Sequence, residues 1–246
     1  MGVVTAEDIE ETMLGMADAK KAKILMGFFK TGKGEYGEGD SFLGITNPQT
    51  RLVVKEAWKD TSLDEAKKLV KSKWHEVRLC GLLILVEKFE KALKKKNEQE
   101  CEAIYKLYIS LHKYINNWDL VDLTAPRIVG GWSLSHPQDS LMDEWIKADK
   151  TLWQQRISIV SCWLPIRKGV LSPALERAKM LLSSKEDLLH KASGWMLREV
   201  GKHGGMTLLE EFLEANVKAM SSIMLRYAIE KMDESERQMW LKRRRE

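Results

Sequence analysis

The chain is 246 residues long, 44% apolar and 31% charged, which supplies a sizeable buried core and excludes a disordered polymer. Lys and Arg number 40 against 36 Asp and Glu, so at a net charge of +4 any surface for a polyanion must come from arrangement. Cys80, Cys101 and Cys162 are odd in number and widely spaced, which fits a reducing, cytoplasmic setting and offers neither a disulfide framework nor a zinc pattern.

At the N-terminus, Met1 to Glu11 lacks the basic stretch and apolar core of a leader, and the longest apolar run, Leu79 to Val86, is too short to cross a bilayer. Alternating Val/Ile/Thr runs are absent, while Leu, Lys, Glu, Ala and Met recur at helical spacing. The expected class is all-α. A first helical pattern runs from Thr5 to Lys30, with Ile9, Met13, Met16, Ile24, Leu25 and Phe28 as apolar positions. Gly32, Gly34, Gly37, Gly39 and Gly44 then punctuate a segment too glycine-rich to continue a helix and too regular for a linker, so contacts are expected to order it. It fits no nucleotide-binding fingerprint, and Glu35, Glu38 and Asp40 would repel a phosphate.

Beyond Asn47 the pattern gives helices over 47–59, 62–73, 74–95, 97–115, 117–129, 139–147, 149–166, 170–182, 185–201, 206–214, 221–230 and 233–243. Helices without strand partners must bury their apolar faces on one another. Short loops make consecutive helices antiparallel pairs, which stack into a right-handed α-α superhelix of the HEAT type. Similar helix starts recur at Trp74 to Leu79, Trp153 to Ser158 and Leu189 to Gly194, as in degenerate repeats, so a single curved domain over 1–246 is expected. The basic clusters Lys20 to Lys23, Lys94 to Lys96 and Lys242 to Arg245 read as solvated faces or tail.

Three stretches carry candidate chemistry. If Asn117 caps a helix, Trp118 and Asp122 stand one turn apart on one face, a π-surface beside a carboxylate. Asp119 and Asp122 also suit the positive end of a helix dipole, and a Trp there also suits a core. Trp153 and Arg156 lie three apart, with Ile157 and Val160 on the other face; Arg156 can grip a phosphate or form an internal salt bridge. In Lys191 to Glu199, Gly194 precedes Trp195, letting another backbone approach while the indole projects. Gly201 and Gly204-Gly205 close that helix in the manner of a C-cap.

Trp118 to Asp122, Trp153 to Arg156 and Lys191 to Glu199 resemble the three signature segments of the AlkD-like DNA alkylation repair family, and Phe28 to Arg51 resembles its N-terminal region. The resemblance covers nearly the whole chain. It implies a HEAT-like superhelix holding duplex DNA on a concave face, and glycosylase activity on N3- and N7-alkylated purines that starts base excision repair. By matching segment it makes Asp122 the catalytic aspartate, Trp118 and Trp195 the tryptophans beside the lesion nucleotide, and Arg156 the phosphate-facing arginine. Where relatives often carry a tyrosine on the first helices, the best match is Phe28, which keeps an aromatic surface and loses a hydroxyl contact.

These residue types suit that reaction. A purine alkylated at N3 or N7 is cationic and leaves as a neutral base, so the leaving group needs no proton. Catalysis reduces to stabilising positive charge on the sugar and orienting water, which one ionised carboxylate can do. Tryptophan faces attract the cationic sugar and base and exclude water. No lysine adjoins Asp122 in sequence, so hydrolysis without strand cleavage is expected. The competing reading is a non-catalytic HEAT-like scaffold binding DNA or protein. The remaining expectations are a cytoplasmic monomer with no cofactor, no metal and no membrane association.

Overall fold

The computed structural model describes residues 4–246, so Met1 to Val3 of the leader reading lie outside the described residues. Helices start where Thr, Ser, Asp or Asn takes up the first free amides. Thr5 closes a capping box on α1 (Ala6–Leu14), Asp18 accepts from the Lys20 and Lys21 amides at α2 (Ala19–Phe28), Thr46 pairs with Gln49 at α3 (Asn47–Ala57), and Ser62 caps α4 (Leu63–Val70). The single pattern expected from Thr5 to Lys30 is therefore two helices. Asp18 interrupts it, because an acid at that position stabilises a start better than an interior turn.

The chain forms two compact units, Met1–Ile128 and Val129–Glu246, each described here by itself. The first is built on α5 (His75–Lys94), buried continuously from His75 to Val86: Leu79 to Val86 is apolar on every side, and the buried first turn carries the polar His75, Glu76 and Arg78. Helices α3, α4, α6 (Glu98–Ser110) and α7 (Trp118–Asp122) pack on it. Each fully buried Leu, Ile or Phe there contributes roughly 1.5–3 kcal/mol. The helix expected over 117–129 divides into α7 and α8 (Ala125–Ser135).

The second unit holds α9 (Leu141–Trp145), α10 (Leu152–Val160), α11 (Trp163–Arg167), α12 (Ser172–Met180), α13 (Asp187–Val200), α14 (Met206–Asn216), α15 (Ser222–Ala228) and α16 (Glu234–Arg243). Its centre is α13, packed against α10, α11, α12, α14 and α15. Gly194 makes the α15 contact possible: a Cβ there would sit 2.5 Å from both the Met224 carbonyl and the Tyr227 side chain. Gly201 keeps helical dihedrals, so the expected C-cap lies further on, where His203 leaves the helix and Gly204 turns at φ +93°. The basic C-terminal tail is anchored, with Arg243 paired to Glu214 and Arg244 donating to the Met220 carbonyl at 2.8 Å. Among the described residues there is no β-strand, only an isolated bridge between Ser41 and Trp74.

Candidate active site

A helix of five residues has almost no stability of its own, so the placement of α7 must come from its surroundings. Asn117 caps it, its side-chain oxygen accepting the Trp118 N–H at 2.8 Å. The next residue, Asp119, is buried and lies 2.8 Å from His75 Nε2. On the other side of the same ring, Nδ1 lies 2.8 Å from Asp40 in the glycine-rich segment, whose second oxygen accepts from Arg78 at 2.7 Å. An imidazole between two carboxylates donates from both nitrogens and carries a positive charge. Burial opposes that charge, but the hydrogen bonds and charges of Asp119 and Asp40 outweigh it and carry the His75 pKa up to about 9. Burial raises the Asp40 carboxyl as well, yet His75 and Arg78 hold it below its ordinary range.

The glycine-rich segment is ordered by contacts, as its composition suggested. The Glu76 carboxylate on α5 accepts from the amides of Leu43 (2.9 Å), Gly44 (2.8 Å) and Ile45 (3.1 Å). Gly44 sits at φ +85°, where a Cβ would lie 2.2 Å from the Asp18 carbonyl, so the loop lies flush on the start of α2. The acids read as repelling a phosphate are internal partners: Glu35 accepts from the Gly32 amide, Glu38 from the Gly34 amide, and Asp40 pairs as described.

An aromatic pile links this lock to the surface. His75 stacks on Phe42 at 4.3 Å, Phe42 on Phe29 at 5.0 Å, and Phe29 on Trp118 at 5.1 Å. Phe28 meets Trp118 edge-on at 5.8 Å and is 60% exposed, whereas Phe29 is 7% exposed. Trp118 is half-buried, packed against the cluster of Ala22, Phe29 and Phe42. Asp122, half-buried at the end of α7, is close enough for its charge to add to the burial that raises the Tyr108 phenol, whose hydroxyl shares a 2.9 Å hydrogen bond with Thr124. The first unit thus brings Phe28, Trp118 and Asp122 together on and beside α7.

In the second unit, Arg156 is on α10 and only 5% exposed, with one Nη donating to the Leu188 carbonyl. Ile157 and Val160 are buried as expected of their face, and Gln155 and Arg156 share that burial. Trp153 and Trp195 are half-buried, and Trp195 follows Gly194, where α15 makes its close approach. All three thiols are buried and raised by that burial, Cys80 to about 12, which leaves them unreactive near neutral pH.

The sequence model of the family described as DNA alkylation repair enzyme matches residues 9–232. The chain belongs to that family. Among solved structures, a predicted DNA alkylation repair enzyme from Enterococcus faecalis has the same fold, with a TM-score of 0.68 at 15% sequence identity over 89% of this chain and 97% of that one. No curated protein sequence matches significantly. Membership in a DNA alkylation repair family makes DNA the partner class. Among the described residues, no helix is long and apolar enough to cross a membrane.

Sequence spacing set Trp118 and Asp122 one turn apart on one helix because their relation is local, and the structure has both on α7. It missed the residues packed around that helix. His75 stands out in sequence only as the first residue of a long apolar helix with Arg78 one turn on. Its partners Asp40 and Asp119 lie 35 and 44 residues away.

Proposed function

We propose that the protein is a monofunctional DNA glycosylase that hydrolyses the N-glycosidic bond of N3- and N7-alkylated, cationic purines in duplex DNA. The observation that carries this is the short helix α7, which sets a half-buried Trp118 one turn from a half-buried Asp122 and beside the exposed Phe28 ring. Asp122 in its ionised form opposes the positive charge that grows on the deoxyribose as the base leaves, and orients the attacking water. The edge-to-face pair of Trp118 and Phe28 offers π-faces to a cationic base or sugar and keeps water from the carboxylate. Phe28 makes this contact without a hydroxyl, so it contributes surface and not a hydrogen bond.

Arg156 and Trp195 in the second unit are assigned, by matching segment alone, to the DNA backbone and to the lesion nucleotide. For Arg156 its burial makes the phosphate role the weaker of the two assignments. We take the enzyme to work as a monomer without a cofactor.

Release of 7-methylguanine from methylated duplex DNA by the wild type and by Asp122→Asn tests the reading. The wild type should release the base, and the variant should lose at least about tenfold in rate while still binding DNA, since loss of one electrostatic stabiliser typically costs about 10²–10³ in rate. A folded, DNA-binding wild type that releases nothing would leave a non-catalytic DNA-binding scaffold as the better account.

A further inference from the structure

We infer that His75 is a positioning residue for the Trp118 and Asp122 pair, acting as the joint through which α5 and the glycine-rich segment fix α7. Its effect on catalysis rests on the glycosylase reading; its effect on the placement of α7 does not. His75 is 1% exposed, so it cannot itself meet DNA. It reaches Trp118 by two separate routes. One runs through Asp119, the residue next to Trp118 in the chain, held at 2.8 Å. The other runs through the stacked rings of Phe42 and Phe29, whose last member lies at 5.1 Å and 23° to the indole. A five-residue helix with both these attachments on one imidazole has its rotation set by that ring.

The two carboxylates on either side of the imidazole account for its protonation, Asp40 from the glycine-rich segment and Asp119 from α7. On α5 itself the charged neighbours in sequence are Glu76 and Arg78, and Phe29, just past α2, meets the ring at 5.0 Å. Arg78 engages Asp40, and Glu76 is occupied by loop amides. With His75 charged, both carboxylates face donors. Removing its proton leaves one ring nitrogen facing a carboxylate with no hydrogen between them, which destabilises one of the two tethers.

The test uses protein labelled with 5-fluorotryptophan, with the Trp118 fluorine resonance assigned by its disappearance in Trp118→Phe. In His75→Gln, and in the near-isosteric Asp119→Asn, we expect the Trp118 resonance to shift or broaden. The single-turnover rate of 7-methylguanine release should fall roughly 10- to 100-fold while the Kd for duplex DNA stays within about twofold, since misplacement of a reacting group costs rate before it costs affinity. In the wild type the Trp118 resonance should titrate near pH 9 with His75, and in Asp119→Asn that midpoint should move down. Should His75→Gln fail to fold, Asp119→Asn gives the same readouts with the imidazole in place. An unchanged Trp118 resonance in either folded variant would overturn the inference. If the wild type releases no base, the glycosylase reading fails and the fluorine signal alone decides the positioning role.

Discussion

Phe28 and Phe29 are chain neighbours of opposite exposure, and on the proposed function the contrast separates site from core. Phe29 lies in the cluster with Ala22 and Phe42, between the Trp118 and Phe42 rings, and truncating it removes both contacts. Phe29→Ala is expected to destabilise by about 3–5 kcal/mol. Phe28, mostly exposed, meets Phe29 and Trp118 edge-on, so Phe28→Ala is expected to cost about 1 kcal/mol, well short of Phe29→Ala. On the proposed function the second change weakens base release while moving the midpoint of urea unfolding only slightly. A comparable loss of stability in both variants would place Phe28 in the core and remove it from the site.

At the scale of elements, helix packing turns on a few close approaches. Gly194→Val would drive a branched side chain into the Met224 carbonyl and Tyr227 and separate α13 from α15, at a cost of about 1–3 kcal/mol or more. Gly27 has ordinary dihedrals and open space where its Cβ would be, so Gly27→Ala should be neutral or gain up to about 1 kcal/mol. Thermal unfolding of the two variants orders them. The same distinction governs what was legible in the sequence. Helices were readable from apolar period, and Gly194 from its place beside Trp195, because both signals are local. The division at Asp18 also had a local signal, its capping carboxylate. The breaks after Asp122 and Val160 had a local signal just beyond them, Pro126 and Pro165 in the first turns of α8 and α11, whereas the burial of Arg156 follows from neighbours far along the chain. The partners of His75 were hidden for the same reason: spacing along one helix says nothing about a carboxylate dozens of residues away.

For the molecule as a whole, the buried charges set a pH window. His75 binds its proton more tightly folded than unfolded, its pKa moving from 6.5 to about 9. Its contribution is therefore complete below pH 6.5 and disappears as the pH rises through 9, a loss on the order of 3 kcal/mol. Asp40 moves the other way, from 3.8 downward, so its contribution is present above that value and is lost as the pH falls through the folded one. Between these limbs the network is intact. Urea unfolding at about pH 6 and about pH 10 should show a drop in the wild type that is largely missing in His75→Phe, which keeps the ring and cannot titrate. An equal drop in both proteins would assign the alkaline loss to other groups.

The three loop amides held by Glu76 also bear on time. A glycine-rich surface segment ordinarily samples open forms within microseconds, but Leu43, Gly44 and Ile45 are each tied to one carboxylate rooted in the first turn of the central helix. Amide hydrogen exchange at these three residues is therefore expected to be slower than in an untethered loop, and Glu76→Ala should speed it.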